Sequence, residues 1–214
     1  MKKLVLLSTM LLMVAFKGAA QEVTPQLTVF PDFRPATAYL ADGKKLDIPM
    51  ANIFLKNSSL LYISGDVTKE ASTKNLLRVD FKDRTYFRID SVLAYQVDTV
   101  GKNALFCAKV LDLKAYRQLI ANNSNITNLD INDLASMNMF QYTTIDINDV
   151  KDIHFPVIPL YYYRLNNQYV LVHERNLKRA LNKEERRRME SVMNLPNFSW
   201  TDEKFLLKIL EVIQ

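Results

Sequence analysis

From Asn75 to Asp112 the chain alternates apolar and polar residues in successive short runs, the period-two pattern of strands with one dry and one wet face. Leu77, Val79 and Phe81 fall on one side, and Arg78, Asp80 and Lys82 on the other. Beyond the polar turn Lys82-Asp83-Arg84-Thr85, Phe87 and Ile89 continue the pattern, then Leu93, Tyr95 and Val97. Val100-Gly101-Lys102-Asn103 turns the chain into Phe106, Ala108 and Val110. The pattern predicts an antiparallel meander and carries no chemistry.

Upstream, Pro25, Pro31 and Pro35 make residues 21–35 an extended lead-in or edge segment. Asp42-Gly43 predicts a hairpin between Thr37–Leu40 and Leu46–Ile48. Ile53–Leu55 and Leu60–Ile63 form a second strand pair around Lys56-Asn57-Ser58-Ser59, and Thr68–Lys74 reads as a polar connector.

Downstream, Asp112 caps a helix in which Leu113, Tyr116 and Ile120 mark the buried stripe, with Leu111 and Tyr116 as its hydrophobic staple. An Asx-rich connector follows and repeats Asp-Ile-Asn-Asp at 130–133 and 146–149. Neither copy supplies the glycine and terminal glutamate of a calcium loop, so turn-opening and capping explain the repeat without metal. Leu160–Arg164 and Tyr169–Val172 form a hairpin through Asn166-Asn167, with Pro156 and Pro159 at its start. Asn182 with Glu185 approximates a capping box, and Trp200, Thr201 and Phe205 read as staple, cap and staple partner of a last helix with a wide apolar face.

These elements predict an α+β fold: an antiparallel β-meander or partly open barrel with C-terminal helices packed on one face. The expected organisation is a signal peptide at 1–20, the lead-in at 21–35, and one domain over 36–214. Within it, 36–111 is β-rich, 112–155 holds the helix and connector, 157–173 the hairpin and 175–214 the C-terminal helices. Lys2 and Lys3, the apolar run Leu4–Phe16 and Gly18-Ala19-Ala20 have the order of an export signal, with cleavage expected before Gln21. Without a cysteine at that point a bacterial lipid anchor is not expected, and no second apolar run predicts a membrane span after cleavage.

Removing Lys2, Lys3 and Lys17 takes the formal charge from +5 to +2, which weakens the compositional argument for nucleic acid. The single cysteine, Cys107, forms no internal disulfide and is expected to be a buried structural thiol. Four glycines exclude a Gly-rich phosphate loop, and two histidines, His154 and His173, lack zinc-ligand spacing, so no catalytic residue, metal or cofactor is assigned. Acidic pairs such as Asp80 with Asp83, or Asp90 with Asp98, would serve glycoside hydrolysis only if they converge in space.

Two surfaces remain as binding candidates. Tyr161 and Tyr163 share one face of their strand, and with Tyr169 they would stack on a sugar or grip a peptide if exposed; the alternative is cross-strand packing under the C-terminal helices. Between Arg175 and Arg188 seven basic residues stand against two acidic ones. Glu184 with Arg188, and Arg186 with Glu190, have helical pairing distance, leaving Arg175, Lys178, Arg179 and Arg187 as an anionic-partner surface.

The leader ending Ala-Ala before Gln-Glu, with Asn57-Ser58-Ser59-Leu60, Val79-Asp80-Phe81 and Ile89-Asp90-Ser91, resembles small exported proteins of unknown function from Bacteroidota-type Gram-negative bacteria. The resemblance implies the periplasm, outer membrane or cell exterior, and no activity. It also implies glycosylation motifs at Asp90-Ser91-Val92 and Asp98-Thr99-Val100, where strands would leave little room for a sugar. The functional expectation is an exported non-catalytic protein that binds an envelope protein or glycan. The alternatives are a secreted hydrolase of glycans or peptides and a structural subunit of an envelope assembly.

Overall fold

The computed structural model describes residues 22–121 and 154–214; the leader and both Asp-Ile-Asn-Asp copies lie outside the described residues. Among the described residues eleven strands form a single, wholly antiparallel sheet. They are β1 (Glu22–Thr24), β2 (Arg34–Leu40), β3 (Lys45–Phe54), β4 (Ser59–Ser64), β5 (Val67–Glu70), β6 (Leu76–Phe81), β7 (Thr85–Ile89), β8 (Val92–Val100), β9 (Asn103–Leu111), β10 (Phe155–Leu165) and β11 (Gln168–Leu171). The order across the sheet is β1-β10-β9-β8-β7-β6-β2-β3-β4-β5, with β11 also on β10, and the sheet curls into a half-barrel. The helices are α1 (Leu113–Ala121), α2 (Glu174–Ala180), α3 (Lys183–Met193) and α4 (Glu203–Val212).

Turn chemistry sets the hairpins. Asn166 and Asn167 take φ of 49° and 64°, the left-handed pair that joins β10 to β11 in two residues. Asp90, at φ 53°, opens the equally short β7–β8 turn. The Asp90-Ser91 motif is therefore an exposed turn, not the crowded strand interior expected from sequence, because the alternation breaks there. Where a polar connector was expected, β5 pairs with β4; an edge strand with Thr68, Lys69 and Glu70 looks polar because one long side is open to water.

Several strands depart from simple alternation, with register shifts in the β2–β3, β2–β6 and β8–β9 pairs. Pairing between β2 and β6 shifts from Tyr39 with Arg78 to Leu40 with Leu76, so Leu77 is the extra residue of a bulge. Leu76 therefore takes the buried place expected for Leu77, which is 48% exposed. In β9 the residues Ala104 to Ala108 are all buried, because Leu105 and Cys107 enter one core cluster while Ala104, Phe106 and Ala108 enter another on the opposite face. Pro159 lies inside β10, between the stretch paired with β1 and the stretch paired with β11. The Tyr161 carbonyl accepts from Val172 on the β11 side, so by alternation Pro159 presents its missing N–H to that same edge, where the two neighbouring strands leave a gap.

Besides its backbone pairing, the lead-in is fixed to β3 by one buried side chain. Asn52 is wholly buried in β3; its Oδ1 accepts from the backbone N–H of Phe30 (3.1 Å) and Ile53 (2.8 Å), and its Nδ2 donates to the carbonyls of Phe30 (2.9 Å) and Asp32 (3.3 Å). This amide satisfies a segment that prolines keep out of the ladder and seats Phe30 in the core beside Phe81 and Tyr86.

The curl is closed by the β3–β4 turn. The Leu93 N–H donates to the Ser58 carbonyl (2.7 Å), and the Ser58 hydroxyl donates back to the Leu93 carbonyl (2.6 Å). Leu111 N–H donates to the Leu55 carbonyl, and Leu55 N–H to that of Leu27. The turn thus bonds to β8, to the end of β9 and to the lead-in at once.

Substituting Asn52→Ala strands four backbone groups and should lower the free energy of urea unfolding by about 3 kcal/mol. Leu46→Ser, at an exposed position of the same strand, should change it by less than about 0.5 kcal/mol. Equal effects in the two variants would contradict this assignment.

Candidate functional site

One cross-strand row organises the inner face. Tyr161 of β10 pairs with Cys107 of β9, Cys107 with Tyr95 of β8, Tyr95 with Tyr86 of β7, Tyr86 with Val79 of β6, Val79 with Ala38 of β2, and Ala38 with Leu46 of β3. Paired residues point to the same face, so three phenols and a thiol line up within an otherwise apolar interior. Tyr95 touches both core clusters and marks their junction.

The exposure expected of the tyrosine hairpin is not found. Tyr161 is 7% exposed and Tyr163 not at all. The Tyr161 hydroxyl donates to Glu203 Oε1 (3.2 Å) and the Tyr163 hydroxyl to the Leu206 carbonyl (2.6 Å), both on α4. Leu206, Ile209 and Leu210 share their buried cluster with both rings. The alternate ring, Tyr162, is buried in the cluster on the other face. Only Tyr169 keeps a wet surface, at 39% exposure, with its ring edge-on to Phe106 at 5.4 Å. Tyr161 and Tyr163 therefore act as struts between sheet and helix and offer no stacking platform.

Cys107 is buried as expected. Burial first, with the Glu203 charge adding to it, raises its thiol to about 11 against the opposing influence of Tyr95 and Lys109. At neutral pH it is a protonated thiol, unlike an activated nucleophile. Burial likewise pushes the Tyr95, Tyr161 and Tyr163 phenols upward. Neither histidine is spent on Cys107 chemistry: His173 Nδ1 accepts from the Arg175 N–H and caps α2, and His154 is exposed. Three of the four carboxylates in the candidate acid pairs are used locally. Asp80 accepts from Thr85 and faces Arg78, Asp83 pairs with Arg34 at 2.8 Å, and Asp98 accepts from the Thr99 N–H. Among the described residues no group of three His, Cys, Asp or Glu side chains is placed to hold a metal ion.

The basic segment divides into engaged and free cations. The Asn182–Glu185 capping box starts α3 and sets the helix that carries Arg187. Lys178 pairs with Glu174 (2.7 Å) and Glu190 (3.3 Å), tying α2 to α3. Those contacts raise its pKa, the Glu174 hydrogen bond most. Arg188 faces Glu184 at 3.7 Å, as helical spacing predicts. Arg186, expected to pair with Glu190, instead donates from Nε to the Leu181 carbonyl, because Lys178 has taken that carboxylate. Arg175, Arg179 and Arg187 are exposed and make no ion pair among the described residues. On α4 the cap is Asp202, one residue beyond the expected Thr201, whose hydroxyl is shared with Ser199.

The sequence reading passed over Asn52 and the pair Arg84 and Tyr86. A lone Asn before the apolar run Ile53–Leu55 carries no pattern, and Tyr86 is hidden by the stronger alternation of Phe87 and Ile89, which face the other side. Among the described residues no helix is long and apolar enough to cross a membrane. No family model matches this chain, no curated protein is similar to it, and no solved structure matches its fold.

An acid that holds its proton more tightly when folded stabilises the fold below its unfolded pKa and loses that contribution as pH rises through the folded one. For Cys107 this window runs from 9.0 to about 11, and for the buried phenols it begins at 10.0. Alkaline titration followed by tyrosinate absorbance and circular dichroism should show phenols ionising together with a cooperative loss of structure. Gradual ionisation of all the phenols near pH 10 in an intact fold would contradict the buried placement.

Proposed function

We infer that the chain is an exported, non-catalytic module that docks an anionic partner at the cell envelope through the outward side of α2 and α3. The observation that carries this reading is the division of the basic segment: Lys178, Arg186 and Arg188 are engaged within the fold, whereas Arg175, Arg179 and Arg187 stand exposed without a counter-charge among the described residues. Free guanidiniums on a helical surface suit carboxylate or phosphate groups in bidentate geometry.

The order of charged, apolar and small residues in the leader supports export to the periplasm, the outer membrane or the cell exterior. In this reading the C-terminal helices form the cover of the inner sheet face and turn their basic side outward. The partner is an acidic envelope protein or a glycan carrying anionic groups. Nucleic acid is set aside, because the charge left after removal of the leader is small.

The test is sedimentation of the native protein with envelopes. Moderate salt should release it, since exposed charge attraction is screened over about 8 Å at physiological ionic strength. The triple variant Arg175→Gln, Arg179→Gln, Arg187→Gln should fail to sediment even at low salt, with an unchanged circular dichroism spectrum. Undiminished retention of that variant would overturn the reading.

A further inference from the structure

A second polar feature lies away from the helical surface, at the β6–β7 turn. Tyr86 is 2% exposed on the inner face, wedged edge-on between Phe81 (5.8 Å) and Tyr95 (5.9 Å). Its hydroxyl is fully buried and has no hydrogen-bond partner. An orphaned buried hydroxyl is costly, and Phe at the same place would avoid the cost. Beside it, Arg84 lays its guanidinium 4.2 Å from the centroid of the half-buried Tyr95 ring while remaining exposed. Burial dominates the upward push on the Tyr86 phenol, and Arg84 opposes it, so the two groups are neighbours even though no hydrogen bond of acceptable geometry joins them.

The surrounding charges leave this guanidinium available. Asp83, its neighbour in the turn, is held by Arg34 at 2.8 Å, and Arg34 is itself stacked on Phe30 at 4.0 Å. Glu203, which also acts on Tyr95, accepts from Tyr161. Lys82 on the same turn is exposed and adds positive charge. One orphaned O–H donor, one guanidinium whose neighbouring carboxylate, Asp83, is hydrogen-bonded to Arg34 instead, and one aromatic ring therefore meet at the junction of the two core clusters.

We propose that Arg84, Tyr86 and Tyr95 form a binding site for the oxyanion of a small ligand, carboxylate or phosphate. The Arg84 guanidinium and the Tyr86 hydroxyl donate to its oxygens, and the Tyr95 ring supports both the guanidinium and the body of the ligand. The desolvated hydroxyl, a burden in the free protein, becomes the group that rejects ligands lacking the oxyanion. This site is separate from the α2–α3 surface and stands without it.

The experiment is a titration of the folded protein with sodium acetate and, separately, with inorganic phosphate at constant ionic strength, read by backbone amide shifts. Saturable shifts at Arg84, Tyr86 and Tyr95 are expected with at least one probe; the probe that acts assigns the anion as carboxylate or phosphate. Tyr86→Phe and Arg84→Gln should each weaken the response at least about tenfold, as expected for loss of a hydrogen bond to a charged group. Tyr86→Phe should also melt no lower than the parent, since it removes an unpaired hydroxyl. The triple variant Arg175→Gln, Arg179→Gln, Arg187→Gln should respond as the parent does. Absence of shifts at these three residues with both probes, an unchanged response in Tyr86→Phe, or a lowered melting temperature in that variant overturns the proposal. Shifts confined to Arg175, Arg179 and Arg187 overturn it as well, and leave the helical surface as the anion site.

Discussion

The reciprocal pair of hydrogen bonds between Ser58 and Leu93 is the contact on which the architecture turns. A sheet of many strands twists, and left open it would expose the inner faces of β2 to β4. Docking the β3–β4 turn on β8 brings distant members of the strand order together and encloses Ile53, Leu60, Val79 and Leu93 in one cluster. Ser58 adopts φ 51° to do so, a strained state for a non-glycine residue that its own hydroxyl bond offsets. Asn52 completes the enclosure by fixing Phe30 across the opening.

Once the sheet is curled, the inner face is spent on packing, and the distribution of chemistry follows. The thiol and Tyr161 of the inner row, and Tyr163 two residues further along β10, become structural, with their protons held by burial. Tyr161 and Tyr163 couple β10 to α4 through their hydroxyls. What the fold leaves for recognition lies at its margins: arginines on the outward side of α2 and α3, and the guanidinium at the β6–β7 turn beside the one inner-row hydroxyl without a partner.

The hairpins were legible because their turns depend on short-range backbone chemistry. Asp42-Gly43 and Asn166-Asn167 announce left-handed residues in the sequence itself, and Asn182 with Glu185 announces a helix start. The bulge at Leu77 and the double burial of β9 were not legible, because both follow from which strand lies alongside and what covers each face. The same reason left Tyr161 and Tyr163 open between a binding face and cross-strand packing: periodicity places them on a shared face, and only tertiary contacts show both rings in one cluster with Leu206, Ile209 and Leu210. The basic surface was half legible. Intrahelical spacing identified Glu184 with Arg188, while the cross-helix claim of Lys178 on Glu190 lay beyond any local pattern.

Amide hydrogen exchange at Leu93, Leu111 and Ile53 tests the closure of the curl most directly, since the first two donate to the β3–β4 turn and the third donates to the Asn52 side chain. If the turn is part of the cooperative unit, these amides exchange only through global unfolding, with the same free energy as the centre of β9. Exchange of Leu93 and Leu111 at much lower free energy, while β9 stays protected, would show a turn that opens on its own and would contradict the account.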